Sequence, residues 1–253
     1  MSDRLAIDVS AEGVCTLRLN RPDKRNAIDS LMVDALLTGL ENADIDAAVK
    51  VVVVRGAGED FCAGADLAEL LASADRSPAE NAADAARLGD VFVHMRDLPK
   101  PVVAVVHGHA LAGGCGLANA CDLVLAHEEA VFGYPEIKRG FVPAMVKAML
   151  RRSMGEKVAF DLVTTGRMLS ATDALTIGLV SRVIPADTFE EDVARVVRQM
   201  ASASSTALAL IKRQLYELEG RSFADAIKLG SEVNAIARST PSFKEAVARF
   251  LKK

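Results

Sequence analysis

No run of like charge interrupts this sequence, and no two cysteines stand at C-x-x-C spacing. No apolar stretch approaches the ~20 residues that a bilayer-spanning helix needs. Each absence removes a class of function. With 30 basic residues against 34 acidic ones, for a formal net charge of −4, the chain has no concentrated basic face for nucleic-acid phosphates. Neither a nucleic acid nor a membrane is therefore an expected partner. The four cysteines (Cys15, Cys62, Cys115, Cys121) and four histidines (His94, His107, His109, His127) follow no zinc-ligand spacing. No metal site is expected, and the thiols read as small buried hydrophobes in the reduced state. The first ten residues, MSDRLAIDVS, hold no apolar h-region, which makes the cytosol the expected compartment. No repeat of fixed period is visible.

What is present fits one substantial core. The 253 residues are 51% apolar and 25% charged, ordinary for a globular protein. Strands are expected over Leu5 to Asp8, Val14 to Leu19, Val49 to Arg55, Pro101 to Val106, Cys121 to Ala126, Val131 to Glu136 and Val180 to Ile184. The four valines at 51–54 suggest a strand buried on both faces. A helix from Ser30 to Asp44, capped by Asp29 or Ser30, offers Leu31, Leu36, Leu37 and Leu40 for a buried stripe. Another begins at Asp66 or Leu67. The polar stretch Ser73 to Glu80 reads as a mobile loop, and a helix then covers Ala79 to Leu98 before Pro99 and Pro101. Beyond Pro143 the pattern is mainly helical: Ala144 to Ser153, Glu156 to Thr165, Ala171 to Ile177, Phe189 to Ser202, Ser204 to Glu219, Ser222 to Ser239 and Ser242 to Lys253. Strands paired with helices come first and helices dominate the end, an α/β arrangement.

The most informative stretch is KPVVAVVHGHALAGGCGLANACD, Lys100 to Asp122. A buried strand runs into Gly108, Gly113, Gly114 and Gly116, then into a helix with almost no side chains on its first turn. Such a junction presents unpaired N–H groups and the positive end of the helix dipole, and so suits negative charge. A Walker A loop is excluded, because Gly114 and Cys115 stand where lysine and a hydroxyl residue are required. A dinucleotide fingerprint is excluded because Asn119 takes the place of its last glycine. Glycines that merely permit close packing would explain one junction. A second one, Phe61 to Leu67 (FCAGADL), has the same design, so two bare N–H groups could share one oxygen as an oxyanion hole. Losing one such donor costs about 3–4 kcal/mol of transition-state stabilisation.

FCAGADL, Gly108 to Asp122, Phe132 to Ile137 and GRMLSATDALTIGLV (166–180), in this order, closely resemble the crotonase, or enoyl-CoA hydratase/isomerase, superfamily. The resemblance runs from Val14 to the last helix. It implies a crotonase-like spiral of ββα units over residues 1–195, with a helical trimerisation region over 196–253 in the same unit. It also implies an acyl-CoA or enoyl-CoA thioester substrate, a homotrimer or dimer of trimers, and no cofactor beyond the coenzyme A of the substrate. Ala65 and Gly113 are implied as oxyanion donors. Lys24, Arg25, Ala27, Ala63, Asp66, Leu67, Leu111, Gly116, Pro135, Phe250 and Lys253 are implied as substrate contacts. Lys24, Arg25 and Lys253 read equally well as solvated surface cations.

Glu136 matches one of two family glutamates, and its apolar surroundings would raise its pKa and suit it to acid–base work. Gly116 stands where the second glutamate belongs. Hydration is easiest with two carboxylates holding a water, whereas one can carry a proton between C2 and C4 of an enoyl chain. Tyr134, His109, Asp66 and Glu69 are candidates for a second group. Cys115 as a nucleophile is disfavoured, since no His–Asp pattern accompanies it. Other enolate chemistry, such as hydrolysis or decarboxylation of a β-dicarbonyl thioester, and an acyl-CoA-binding scaffold without turnover remain as alternatives.

Overall fold

The computed structural model describes residues 3–252. Its strands are β1 (Leu5–Val9), β2 (Val14–Leu19), β3 (Val51–Gly56), β4 (Val102–Val106), β5 (His109–Leu111), β6 (Leu123–His127), β7 (Val131–Gly133), β8 (Met168–Ser170) and β9 (Arg182–Ile184). Its helices are α1 (Ser30–Ile45), α2 (Leu67–Ala72), α3 (Pro78–Asp97), α4 (Gly113–Ala120), α5 (Val146–Ser153), α6 (Glu156–Thr165), α7 (Ala171–Thr176), α8 (Phe189–Ala201), α9 (Ser205–Glu217), α10 (Phe223–Ser239) and α11 (Pro241–Phe250). Among the described residues no helix is long and apolar enough to cross a membrane.

Two sheets organise the core. The larger has the order β1-β2-β3-β4-β6-β9, parallel except for the β1–β2 hairpin. Strand alternation divides the valines of β3 between its faces. Val51 and Val53 pack with Val103, Val105 and Leu125 against Phe189, Val193, Val196 and Val197 of α8. Val52 and Val54 face the main core, with Met32, Leu36 and Leu40 of α1. Burial on both faces is what the unbroken valine run implied. The smaller sheet, β5-β7-β8, pairs β5 with β7 in parallel and β7 with β8 antiparallel.

Local sequence explains the helix starts. Asp29 accepts from Met32 N at the head of α1, Ser170 and Asp173 form a capping box at α7, and Ser204 and Ser222 cap α9 and α10. Three expectations are corrected. Leu31 is 54% exposed, because the buried stripe of α1 runs through Met32, Leu36 and Leu40 instead. The loop expected over Ser73 to Glu80 contains a short 3-10 turn, and α3 begins at Pro78 on a Ser77/Glu80 capping box. Strands β5 and β8 were not anticipated.

Helices α9 to α11 pack in sequence on one another. Lys212 plants α9 on the body of the protein. Its Nζ donates to Met95 O at 2.7 Å and Lys100 O at 3.0 Å and lies 2.8 Å from Asp122 Oδ2. Asp122 also accepts from Val102 N and from the Tyr216 hydroxyl. Burial pulls the pKa of the Lys212 amine down, against the pull of Asp122.

Candidate active site

The two glycine junctions are laced together by backbone. Phe61 N donates to His107 O and Cys62 N to His109 O, each at 3.0 Å, while Leu111 N donates to Cys62 O at 2.9 Å. On the other flank, Ala63 N donates to Arg25 O, Ile28 N to Gly64 O and Asp66 N to Ile28 O. Among the described residues, these bonds pass over Ala65 and leave its N–H without a backbone acceptor. Across from it, Ala112 N donates to Gly133 O, and Gly116 N to Ala112 O makes the first turn of α4. Gly113 opens that turn, and the first N–H groups of a helix have no partner within it.

The junctions meet closely. A Cβ added to Gly64 would stand 3.3 Å from Gly113 N, and one added to Gly113 would stand 3.8 Å from Ala65 N. Gly114 lets α4 settle directly on Cys62, since a Cβ there would collide with the Cys62 carbonyl oxygen and lie 2.7 Å from its Cβ. Between the two, Ala112 holds φ 52° and ψ −126°, a conformation alanine rarely adopts. Such strain costs of order 1–3 kcal/mol and is found where the surroundings over-determine the backbone.

Glu136 follows β7 in a 3-10 turn, Pro135–Arg139. The residue is 9% exposed, and its Oε2 is buried without a hydrogen-bond partner. Desolvation raises its pKa, opposed by its own backbone N–H and by Arg139. Cys115 and Tyr134 lie beside it, both fully buried, and each feels its charge. Burial pushes the Cys115 thiol up to about 12, so it stays protonated at neutral pH. That removes its case as a nucleophile. All four thiols are buried and free.

Three of the other candidates for a second acid–base group, Asp66, Glu69 and His109, are engaged elsewhere. Asp66 caps α2 and accepts from Arg21 Nη2 at 2.9 Å. Glu69 accepts from Ser30 N and Oγ. His109 Nδ1 lies 2.7 Å from Asp60 Oδ1, and Tyr134 has a buried hydroxyl with no partner. At Gly116 an added Cβ would stand 2.5 Å from Val146 Cγ1 and 3.7 Å from Phe92 Cζ.

The polar loop after β2 reaches this region. Arg25 and Asn26 both adopt left-handed backbone, and the Arg25 Nε lies 2.6 Å from Asp60 Oδ2. An open cleft of about 430 Å³ is lined by Pro22, Arg25, Gly58, Asp60, Gly108 and His109. Ala63 and Leu111 are half-buried, Ala27 and Pro135 are buried, and Lys24 and Leu67 are exposed. Phe250 is 78% exposed on α11, which packs on α10, and Lys253 lies outside the described residues.

Sequence reasoning missed three residues that fix this loop. Arg21 bonds Ala27 O, Asp29 and Asp66 at once. Asn26 accepts from Arg21 N and donates to Ala57 O and Asp60 O. Asp60 accepts from Arg25 and from the His109 backbone N–H, and lies beside the His109 ring Nδ1. A polar residue inside an otherwise surface-like loop gives no local signal of such burial.

These features define a class of protein: an α/β scaffold in which two strand-to-helix junctions meet and the Glu136 carboxyl is buried. Residues 10–253 match the family described as enoyl-CoA hydratase/isomerase. A Thermus thermophilus protein provisionally named an enoyl-CoA hydratase is 39% identical over 247 residues, covering 98% of either chain. Among solved structures, an enoyl-CoA hydratase from Mycobacterium smegmatis superposes with a TM-score of 0.94 at 34% identity, covering 98% of this chain and 96% of that one. One from Legionella pneumophila, described as an enoyl-CoA hydratase/isomerase (crotonase), gives 0.92 at 29% identity, covering 99% and 96%. The chain belongs to the enoyl-CoA hydratase/isomerase family, and its fold is the crotonase fold.

Proposed function

We propose that this protein is an acyl-CoA enzyme that draws negative charge onto a thioester oxygen at the N–H groups of Ala65 and Gly113 and moves protons with Glu136. The observation that carries this reading is the Glu136 carboxylate: Oε2 is buried, unpartnered and raised in pKa by desolvation. A buried polar atom without a partner costs stability, so its retention favours a working role. Two amide donors near one another support the same reading, since an enolate oxygen needs both.

The chemistry follows from the charges. As the thioester carbonyl gains electron density, the proton on C2 becomes acidic, and ionised Glu136 takes it. The same carboxyl then returns a proton at C2 or C4, and no other reactant is consumed. Amides that bind the enolate oxygen better than the ground-state carbonyl lower the barrier rather than merely tightening substrate binding. The coenzyme A end is assigned to the cleft by Arg25, with Lys24, Ala27, Ala63, Asp66, Leu67 and Leu111 along its path and Pro135 by the acyl end. Phe250 and Lys253 are assigned to its nucleotide end. Exposed Ile211, Leu215, Ile227 and Phe243 on the C-terminal helices support a homotrimer or dimer of trimers. A cytosolic location is part of the same proposal.

The test is a panel of saturated, 2-enoyl, 3-enoyl and β-dicarbonyl CoA thioesters assayed with the wild type and Glu136→Gln. Turnover of at least one class should fall by ~10²–10⁴ in the variant while thioester binding is kept. Micromolar binding with no turnover anywhere would make the protein a carrier. Gly116 favours isomerisation, or hydrolysis or decarboxylation of a β-dicarbonyl thioester, over hydration within this reading.

A further inference from the structure

Gly116 lies one helical turn beyond Gly113, beside Cys115, whose thiol senses the charge of Glu136. The space over it is filled. Val146, the first residue of α5, brings Cγ1 to 2.5 Å from where a Cβ would stand, and Phe92 of α3 brings Cζ to 3.7 Å. Both side chains are buried, at 4% and 8% exposure, and they belong to the main core with Leu150 and Leu117. Burial raises the pKa of Glu136, opposed by its own backbone N–H and by Arg139.

We infer that Val146 selects the reaction. Its isopropyl group occupies the volume that a second acid at position 116 would need, and together with Phe92 it makes that wall hydrocarbon. A water held for addition needs two to four polar partners, and this wall offers none. Addition of water to a 2-enoyl thioester must form the O–C3 bond, send the π electrons to the thioester oxygen, remove a proton from the water and deliver one to C2. Moving a double bond from C3–C4 to C2–C3 requires only that Glu136 take the C2 proton and return one at C4. With Val146 in place the second course is open, and the first lacks a second carboxylate at position 116 to hold its water. The inference rests on the roles proposed above for Glu136 and the two amides.

Two measurements test it. The first is a melting cycle of Gly116→Ala, Val146→Ala and the double variant. Gly116→Ala should lower the melting temperature, and Val146→Ala should relieve most of that loss. Additive losses would overturn the claim that Val146 fills this space. The second compares a six-carbon 3-enoyl with a six-carbon 2-enoyl thioester. The wild type should isomerise at least ~10-fold faster than it hydrates, and Gly116→Glu with Val146→Ala should raise hydration at least ~10-fold where Gly116→Glu alone does not. A wild type that hydrates as fast as it isomerises, or a folded double variant with no gain, would overturn it. Failure of the underlying reading looks different: the wild type and Glu136→Gln would then exchange the C2 proton at equal rates, whatever the melting cycle shows.

Discussion

Gly64 and Ala112 stand so close that a Cβ on the glycine would come within 2.7 Å of the alanine Cβ. Gly64 also holds φ +98°, where an L side chain is strained, and the same Cβ would press on Leu111 O at 2.9 Å. Gly64→Ala should therefore push the two junctions apart. A shift near 1 Å at a positioned donor costs about 10²-fold in rate, so turnover should fall by that order while the protein still folds. Gly220 is the control: it has φ +72° and nothing within 4 Å of an added Cβ. Gly220→Ala should cost about 1–2 kcal/mol in urea denaturation and leave turnover unchanged.

Glu136 should trade stability for readiness. Its pKa is raised in the folded state by desolvation, so folding favours the neutral carboxyl. The stability this gives is complete below the unfolded value, near 4.5, and is lost as pH rises through the higher folded value. Glu136→Gln, neutral at every pH, should melt above the wild type at pH 7 to 8. The gap should close below about pH 4. A wild type that is the more stable partner at pH 8 would contradict this.

Asp60 should behave in the opposite sense. Burial works against its ionised form, but hydrogen bonds from Arg25, the His109 ring and the His109 backbone N–H outweigh it and hold the pKa at about 2, against an ordinary 3.8. Stability from this carboxylate is present above the ordinary value and is lost as pH falls toward 2. Asp60→Asn should cost about 1–2 kcal/mol at pH 7, reduced from the full proton linkage because Arg25 is half exposed and screened. Melting curves of the two proteins should converge in acid.

Lys212 carries the heaviest structural prediction. Lys212→Met would leave part-buried Asp122 without its cation and the Met95 and Lys100 carbonyls without their donor. Removing one partner of a buried pair costs about 3–5 kcal/mol. Urea denaturation should show a loss of that size, with α9 the first helix to lose amide protection in hydrogen exchange.

The parts of this structure that were legible in the sequence are those fixed by neighbours along the chain. Valines 51–54 announced a strand buried on both faces, and Asp29 announced a helix start through short-range capping. The glycine pattern announced two strand-to-helix junctions. Strands β5 and β8 escaped because three residues carry no periodicity and exist only through β7 between them. Leu31 misled because apolar residues at adjacent helix positions compete for one stripe, and packing decides the winner. Burial of Arg21, Asn26 and Asp60 depends on partners tens of residues away. The meeting of Val146 with Gly116, across thirty positions, had no local sign at all.

Gly114 and Gly116 sit two residues apart, but mutation can reach them unequally. At Gly114 the obstacles are the carbonyl oxygen and Cβ of Cys62, which every residue but glycine at position 62 would also present. At Gly116 the obstacle is one removable side chain, that of Val146. Descendants of this protein can therefore gain a side chain at 116 in two steps, with Val146 shrinking first, while 114 stays closed. The fold thus leaves position 116 free to drift over generations and holds Gly114 fixed against Cys62.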